Sequence, residues 1–145
     1  TRLVRGKTDV VMMLNGALGG LVAITAEPLM PTPLMAIIIG GIGGALVFAG
    51  TELLTAMKID DVVGAIPVHL IAGVWGTLAV PITNPDTSFG TQFLGTASIC
   101  VFVFVVSIII WSIMKATIGI RISEEAEKEG TDVAETGVIA YSIRD

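Results

Sequence analysis

Four long apolar runs constrain this chain more than any other feature of its sequence. They extend from about 10 to 26, 34 to 54, 62 to 82 and 89 to 114, and prolines and charged residues typical of turns separate them. A helix needs ~20 mostly apolar residues to cross a hydrocarbon core of ~30 Å. The sequence therefore predicts an all-α membrane protein, with four transmembrane helices within residues 1–118 and a polar tail over residues 119–145.

Composition supports a membrane location and excludes several classes of function. The chain of 145 residues is 53% hydrophobic and 14% charged, with a mean hydropathy of +0.87, a balance that a soluble domain of this size does not have. The net charge of -5 comes largely from the tail and points to no nucleic-acid partner. Cys100 is the single cysteine, so the chain can form neither a disulfide framework nor a cysteine-based metal site. No nucleophile–base pair, metal cluster or nucleotide loop is present, so we predict neither an enzyme nor a cofactor.

The positive charges orient the predicted helices. All eight Lys and Arg lie on one side of a four-span topology: Arg2, Arg5, Lys7, Lys58, Lys115, Arg121, Lys128 and Arg144. Cytoplasmic loops carry an excess of Lys and Arg. We therefore expect a multi-pass protein of the plasma or inner membrane whose N-terminal end, middle loop and C-terminal tail are cytoplasmic.

Small residues recur at helical spacing in the first three runs. The sets separated by four positions are Gly16 and Gly20, then Ala36, Gly40 and Gly44, then Ala72 and Gly76. Small residues at this spacing let membrane helices approach closely, since lipid supplies no hydrophobic force between helices. The pattern predicts a packed bundle.

The third run carries the residues with chemistry. Asp60 and Asp61 precede it, and carboxylates at a helix start accept hydrogen bonds from unpaired amides and face the positive end of the helix dipole. Pro67 predicts a kink. His69 is the only histidine and lies near the middle of the run, where an ionisable side chain is expected to face the bundle interior or a polar path.

On a regular helix His69 has mostly small neighbours at three, four and seven positions: Ala65, Ile66, Ala72, Gly73 and Gly76. The large residues Leu70, Ile71, Val74 and Leu78 are expected on the other side. From the residues alone, His69 either lines a permeation path, where imidazole can donate and accept hydrogen bonds, or links two helices as a buried histidine.

Two other side chains have alternative interpretations. Asn15 is a polar residue inside the first run, and it either makes an interhelical hydrogen bond or lines a pore. Trp75 either packs or anchors at the interface, or it binds a cation.

Three stretches resemble the ammonium transporter (Amt/Mep/Rh) family. Residues 60–80, with Asp60-Asp61, Val68-His69 and Gly73-Val74-Trp75-Gly76-Thr77, closely resemble the family's second pore-histidine helix. Leu14-Asn15-Gly16-Ala17-Leu18 with residues 20–26 looks like its eighth membrane helix. The tail from Gly119 looks like its cytoplasmic C-terminal region, with Glu127, Gly130, Asp132, Glu135, Gly137, Ala140 and Tyr141.

The resemblance implies an eleven-helix fold of two inverted halves plus a final long helix, assembled as a homotrimer with one pore per subunit. On that map the chain supplies helices eight to eleven and is expected to be a fragment. His69 matches the second pore histidine, Asp61 the acidic residue at the head of that helix, and Ala65, Gly73 and Asn15 are candidates for pore or packing positions. The implied substrate is ammonium or ammonia, and a PII-type signal protein is an implied partner at the cytoplasmic face.

Two alternatives belong to other classes. An Amt-like sensor would bind ammonium without conducting it and is expected to carry a fused signalling domain. A different inverted-repeat transporter, such as a proton-coupled carrier, leaves the Asp-Asp, histidine and tail matches unexplained.

Overall fold

The structure, a computed structural model, describes residues 2–140 apart from the side chains of Leu3 and Arg5, and these residues form helices, turns and loops without a strand. In chain order the helices are α1 (Arg2–Arg5), α2 (Val10–Ile24), α3 (Pro33–Ala56), a π-helix (Ile66–Ile71), α4 (Ala72–Thr83), α5 (Phe89–Thr117), α6 (Glu124–Glu129) and α7 (Thr131–Thr136). Tyr141 and Arg144, which enter the predictions for the tail and the orientation, lie outside the described residues.

Three helical segments are long and apolar enough to cross a membrane. They are Pro33–Ala56, the continuous π-helix and α4 over Ile66–Thr83, and Phe89–Thr117. The first predicted span forms α2, an apolar helix of 15 residues that is shorter than a full crossing at 1.5 Å per residue. The helical class is therefore confirmed, with three segments of membrane length among the described residues.

Short polar residues fix the starts of the first two long helices. The Asp9 carboxylate accepts a hydrogen bond of 3.0 Å from the Met12 amide at the start of α2. The Thr32 hydroxyl accepts one of 3.3 Å from the Met35 amide, and Pro33 occupies the first position of α3. Each cap satisfies an amide that has no partner within the helix, and proline costs nothing there because its missing N–H is not needed.

Glycines hold α2 and α3 together in antiparallel order. A Cβ placed on Gly44 would lie 2.9 Å from the Gly16 carbonyl oxygen, and one on Gly20 would lie 3.1 Å from the Gly40 carbonyl oxygen. The two backbones meet directly at these positions, and a larger residue at Gly44 or Gly20 would push them apart. This contact realises the spacing of small residues seen in the sequence.

The π-helix and α4 pack into the same unit. A Cβ on Gly76 would lie 2.9 Å from the Ala23 Cα, so α4 touches the backbone of α2. Two small cores flank the contact, one of Ala23, Ile39 and Ala79 with Trp75 against it, the other of Val47, Val68 and Ala72 with Val22 against it. The Trp75 indole also donates a hydrogen bond of 3.0 Å to the Ile39 carbonyl oxygen, which agrees with a packing role.

The loops at the far ends of α2 and α4 are tied by one polar contact. The Asn84 amide nitrogen donates a hydrogen bond of 2.8 Å to the Glu27 carboxylate, and both side chains are half-buried. Asn84 follows α4, and Glu27 follows α2. The bond therefore links the segments that leave these two helices.

The chain divides into two compact units, Thr1–Val101 and Phe102–Asp145. The described part of the second unit contains the end of α5 and the tail helices. The Ser123 hydroxyl caps α6, with 3.2 Å to the Ala126 amide, and α6 ends at Gly130. Exposed ion pairs join Arg121 to Glu127 at 2.9 Å and Lys128 to Glu124 at 2.8 Å.

Candidate functional site

The start of the histidine helix is set by Asp61 and Gly64. Gly64 has φ of +76°, a left-handed conformation that a regular helix does not contain, so no helix can run through Gly64 from the preceding residues. The Asp61 carboxylate then accepts hydrogen bonds of 2.8 Å from the amides of Ala65 and Ile66. The helix therefore begins at these residues and not near Val62 as the apolar run suggests, because Gly64 interrupts the run.

Asn15 repairs a gap that Pro67 leaves in the backbone hydrogen bonds. Proline has no N–H to donate to the carbonyl four residues earlier, which is that of Val63. The Asn15 side-chain amide of α2 donates to the Val63 carbonyl oxygen at 2.9 Å. A Cβ at Gly64 would lie 2.5 Å from the same amide nitrogen, so glycine is also required for this approach. Neighbouring side chains commonly satisfy backbone groups freed by a proline in this way.

Pro67 also changes the type of helix. Residues Ile66–Ile71 form a π-helix, and the Ala72 amide donates to the Pro67 carbonyl five residues earlier. The kink predicted at Pro67 thus takes the form of a π segment of 6 residues, within which His69 lies. Such segments are rare and often occur at functional sites.

His69 is exposed and lines an open groove with a cavity volume of about 320 Å³. One wall of the groove is the histidine helix and the other is the first part of α5. The lining residues are His69, Leu70, Gly73, Val74 and Thr77 on the first wall and Gln92, Gly95, Thr96, Ile99 and Cys100 on the second. All of them belong to the first compact unit.

The neighbours of His69 differ from those expected for a regular helix. Gly73 does share the groove, but Ala72 and Gly76 are buried against α2 and α3. Leu70 and Val74, expected on the opposite side, line the groove beside His69. The expectation was wrong at these positions because the π segment turns the histidine relative to the residues that follow.

The remaining candidates lie near the start of the helix. Asp60 and Asp61 line a second open cavity of about 370 Å³, together with Thr51, Thr55 and Lys58. Ala65 is exposed at the helix start. Among residues 2–140, no group of three or more His, Cys, Asp or Glu side chains is placed to hold a metal ion.

Four groove residues were not singled out as functional from the sequence. Thr77, Gln92, Thr96 and Cys100 line the groove with His69. The last three recur every four residues, so they share one helix face. That spacing was the available signal.

Comparison with known proteins identifies the chain's relatives. The Ammonium Transporter Family profile matches residues 1–141. Ammonium transporter Amt2 of Archaeoglobus fulgidus is 36% identical over 97% of this chain and 34% of its own length. Ammonium transporter Amt1 of Haloferax mediterranei is 35% identical over 94% and 28%, and an ammonium transporter of Bacillus subtilis is 35% identical over 96% and 38%.

The chain spans about a third of the length of these relatives. The matched region nevertheless includes every described helix and the groove beside His69. The chain belongs to the ammonium transporter family.

Proposed function

We propose that this chain is part of a transporter that moves ammonium or ammonia across a membrane, and that His69 lines its pore. The observation that carries the proposal is the position of the imidazole. His69 is the only histidine of a chain in this family, and it lies in a membrane-length segment on an open groove. Polar and ionisable side chains at such depth mark substrate or proton pathways in membrane proteins.

Desolvation energies favour a path that handles ammonia and the proton separately. Moving an ammonium ion from water into an apolar pore costs many kcal/mol, whereas neutral ammonia crosses at far lower cost. Neutral imidazole offers one donor and one acceptor nitrogen, so His69 can hydrogen-bond to ammonia and take part in transfer of the proton. Potassium has no proton to give up, and such a path therefore excludes it.

The local structure supports a fixed position for the imidazole. Asp61 holds the first amides of the helix, and Asn15 holds the Val63 carbonyl oxygen next to Gly64. Gly73 adds no side chain to the groove one turn beyond His69. These contacts set where the ring stands, and none of them occupies the imidazole itself.

The complete assembly extends beyond this chain. We propose that the remaining two thirds of the transporter, by the length of the relatives, complete an eleven-helix inverted-repeat fold and the pore. A homotrimer in the plasma or inner membrane is proposed as the working form. The distribution of Lys and Arg supports a cytoplasmic tail, where a PII-type protein is the proposed partner.

Uptake of ammonium or methylammonium by the product of the complete gene tests the role of His69. We expect His69→Ala to reduce uptake at least about tenfold, equivalent to ~1.4 kcal/mol in the barrier. Ile82→Ala is the matched control, since Ile82 is exposed at the far end of the same segment and lines none of the cavities described here. Substrate-specific uptake at the wild-type rate in a correctly inserted His69→Ala protein would contradict the proposal.

A further inference from the structure

The wall of the groove that faces His69 carries hydrogen-bonding groups of its own. Gln92, Thr96 and Cys100 are spaced by four on α5 and line the same cavity as His69. The helix as a whole is strongly apolar, with single serines outside this face at Ser98, Ser107 and Ser112, and it has no buried residue. Three polar or polarisable side chains on one face, directed to one cavity, set this part of α5 apart from the rest of the helix.

Thr96 differs from every other threonine in the membrane-length helices. Thr91 pairs with the Ser88 hydroxyl. The five others donate to a backbone carbonyl three or four residues earlier: Thr51 to Val47, Thr55 to Thr51, Thr77 to Gly73, Thr83 to Val80 and Thr117 to Ile113. The Thr96 hydroxyl oxygen is buried and has no hydrogen-bond partner among the described residues.

A buried hydroxyl without a partner is unfavourable, and native structures leave few of them. A helical threonine can remove the cost by bonding to its own helix, as its counterparts do here. Thr96 does not, although the Gln92 carbonyl stands at the required spacing. In this rotamer the oxygen itself is closed to a water-sized molecule, but Thr96 lines the groove, and a turn about its χ1 angle brings the uncommitted hydroxyl to the cavity.

We propose that Thr96 and Gln92 form a binding site for a small amine on the wall opposite His69. The class of ligand is ammonia, ammonium or methylammonium, and the inference rests on the proposed function. A hydroxyl and a carboxamide present acceptor oxygens for N–H groups and donors for the lone pair of ammonia. Both side chains are uncharged, so they replace hydrogen bonds to water without adding a fixed charge to the pore.

The apolar residues around the site strengthen these hydrogen bonds. Val74 and Ile99 line the groove beside the polar groups and lower the local dielectric. Thr77 already donates its proton to Gly73, so it contributes only acceptor lone pairs. Thr96 is therefore the hydroxyl of the groove with an uncommitted proton.

The test compares the concentration dependence of methylammonium uptake by the complete gene product carrying Thr96→Val, Thr96→Ser or Ser98→Ala. Valine keeps the shape of threonine and removes the hydroxyl, whereas serine keeps the hydroxyl. Loss of one hydrogen bond to the amine is expected to raise KM about three- to tenfold in Thr96→Val. Thr96→Ser is expected to stay near wild type, as is Ser98→Ala, whose side chain is exposed on α5 outside the groove.

Labelling of Cys100 separates this inference from the proposed function. Cys100 lines the groove, and in a protein where it is the single cysteine its reaction with a small maleimide reports occupancy. Methylammonium is expected to slow labelling in wild type and in His69→Ala, with a several-fold higher concentration needed in Thr96→Val. Wild-type uptake in His69→Ala overturns the pore role of the histidine, and the protection of Cys100 then decides separately whether the amine site at Thr96 exists. Equal protection in wild type and Thr96→Val, or no protection in wild type, overturns the amine site.

Discussion

Helices α3 and α5 have similar apolar character but opposite packing. Both are long enough to span a membrane, and α5 is the more apolar of the two. In the most apolar stretch of 18 residues, 22% of the residues of α3 are buried, whereas none of those of α5 are. The difference follows from small residues: Gly40, Gly43 and Gly44 put the backbone of α3 against α2, and α5 has no such contact among the described residues.

Apolar composition therefore identifies the spanning helices without saying which of them pack together. In lipid a leucine gains little by touching another helix, so contact depends on whether the backbones can approach. The glycine contacts of α2, α3 and α4 supply that approach. The faces of α5 stay exposed among the described residues, as expected for a helix without a close backbone contact.

The largest expected effect comes from placing a methyl group in the glycine contact. Gly76→Ala puts a Cβ 2.9 Å from the Ala23 Cα, and this backbone cannot move aside as a flexible side chain could. We expect a loss of ~1–3 kcal/mol, typical of overpacking, seen as a lower midpoint of thermal unfolding in detergent.

Gly41→Ala is the matched control within α3. A Cβ at Gly41 meets nothing within 4 Å, and alanine is a better helix former than glycine. This variant is expected to be as stable as wild type or slightly more stable. Equal stability of Gly76→Ala and Gly41→Ala would show that close backbone contact does not hold this unit together.

A smaller effect is expected from Asn15, the polar contact within the glycine-packed unit. Asn15→Ala leaves the Val63 carbonyl oxygen without a donor, since Pro67 cannot supply one. Interhelical hydrogen bonds in membranes are worth about 0.6 kcal/mol on average and up to ~1.7. We expect destabilisation in that range and faster amide exchange at Ala65 and Ile66, at the helix start.

Asn15→Gln tests whether the contact depends on geometry as well as on an amide group. The longer side chain moves the donor from the Val63 carbonyl oxygen, so it is expected to restore little of the protection at Ala65. Unchanged exchange at Ala65 in both variants would argue that Asp61 alone fixes the helix start.

The smallest effect is expected in the tail, which local polar contacts hold in place of glycine packing. The Ala140 amide donates a hydrogen bond of 2.8 Å to the Asp132 carboxylate and holds the pKa of Asp132 below its ordinary value. Because the folded pKa is lowered, this contact stabilises the tail above the unfolded pKa of about 4 and is lost as the pH falls through the folded value.

Amide exchange of Ala140 measured against pH checks the prediction. Exchange, corrected for its intrinsic pH dependence, should show loss of protection below about pH 4 in wild type. Asp132→Asn should show weaker protection at neutral pH and no such step, while amides of α2 and α3 stay unchanged. A step that persists in Asp132→Asn would assign the pH dependence to another group.

The sequence was most informative where a residue type has one structural use. The spacing of Gly16, Gly20, Gly40 and Gly44 predicted a close helix contact, and these glycines meet in the structure. Asp61 was expected to accept hydrogen bonds from amides at a helix start, and it does so from Ala65 and Ile66. Each of these predictions rests on local geometry that the residue itself determines.

Prediction failed where one element changed the geometry of the next. The apolar run predicted a helix from about Val62, but Gly64 delays the start until Ala65. A regular helix with 3.6 residues per turn would place Ala72 and Gly76 beside His69. The π-helix breaks that period, and both residues are buried in the core. The groove beside His69 could not be predicted, because it depends on where α5 lies relative to the histidine helix, and no single segment of sequence determines that.

The bond between Asn84 and Glu27 has a consequence for how His69 can move. The segment that carries the histidine is attached to the region of α2 at both ends, through Asn15 at its start and through Glu27 beyond its end. Because the segment is held at two points by one neighbour, it cannot tilt without breaking one of these two hydrogen bonds. The two attachments therefore hold the depth of the imidazole along the segment from both sides.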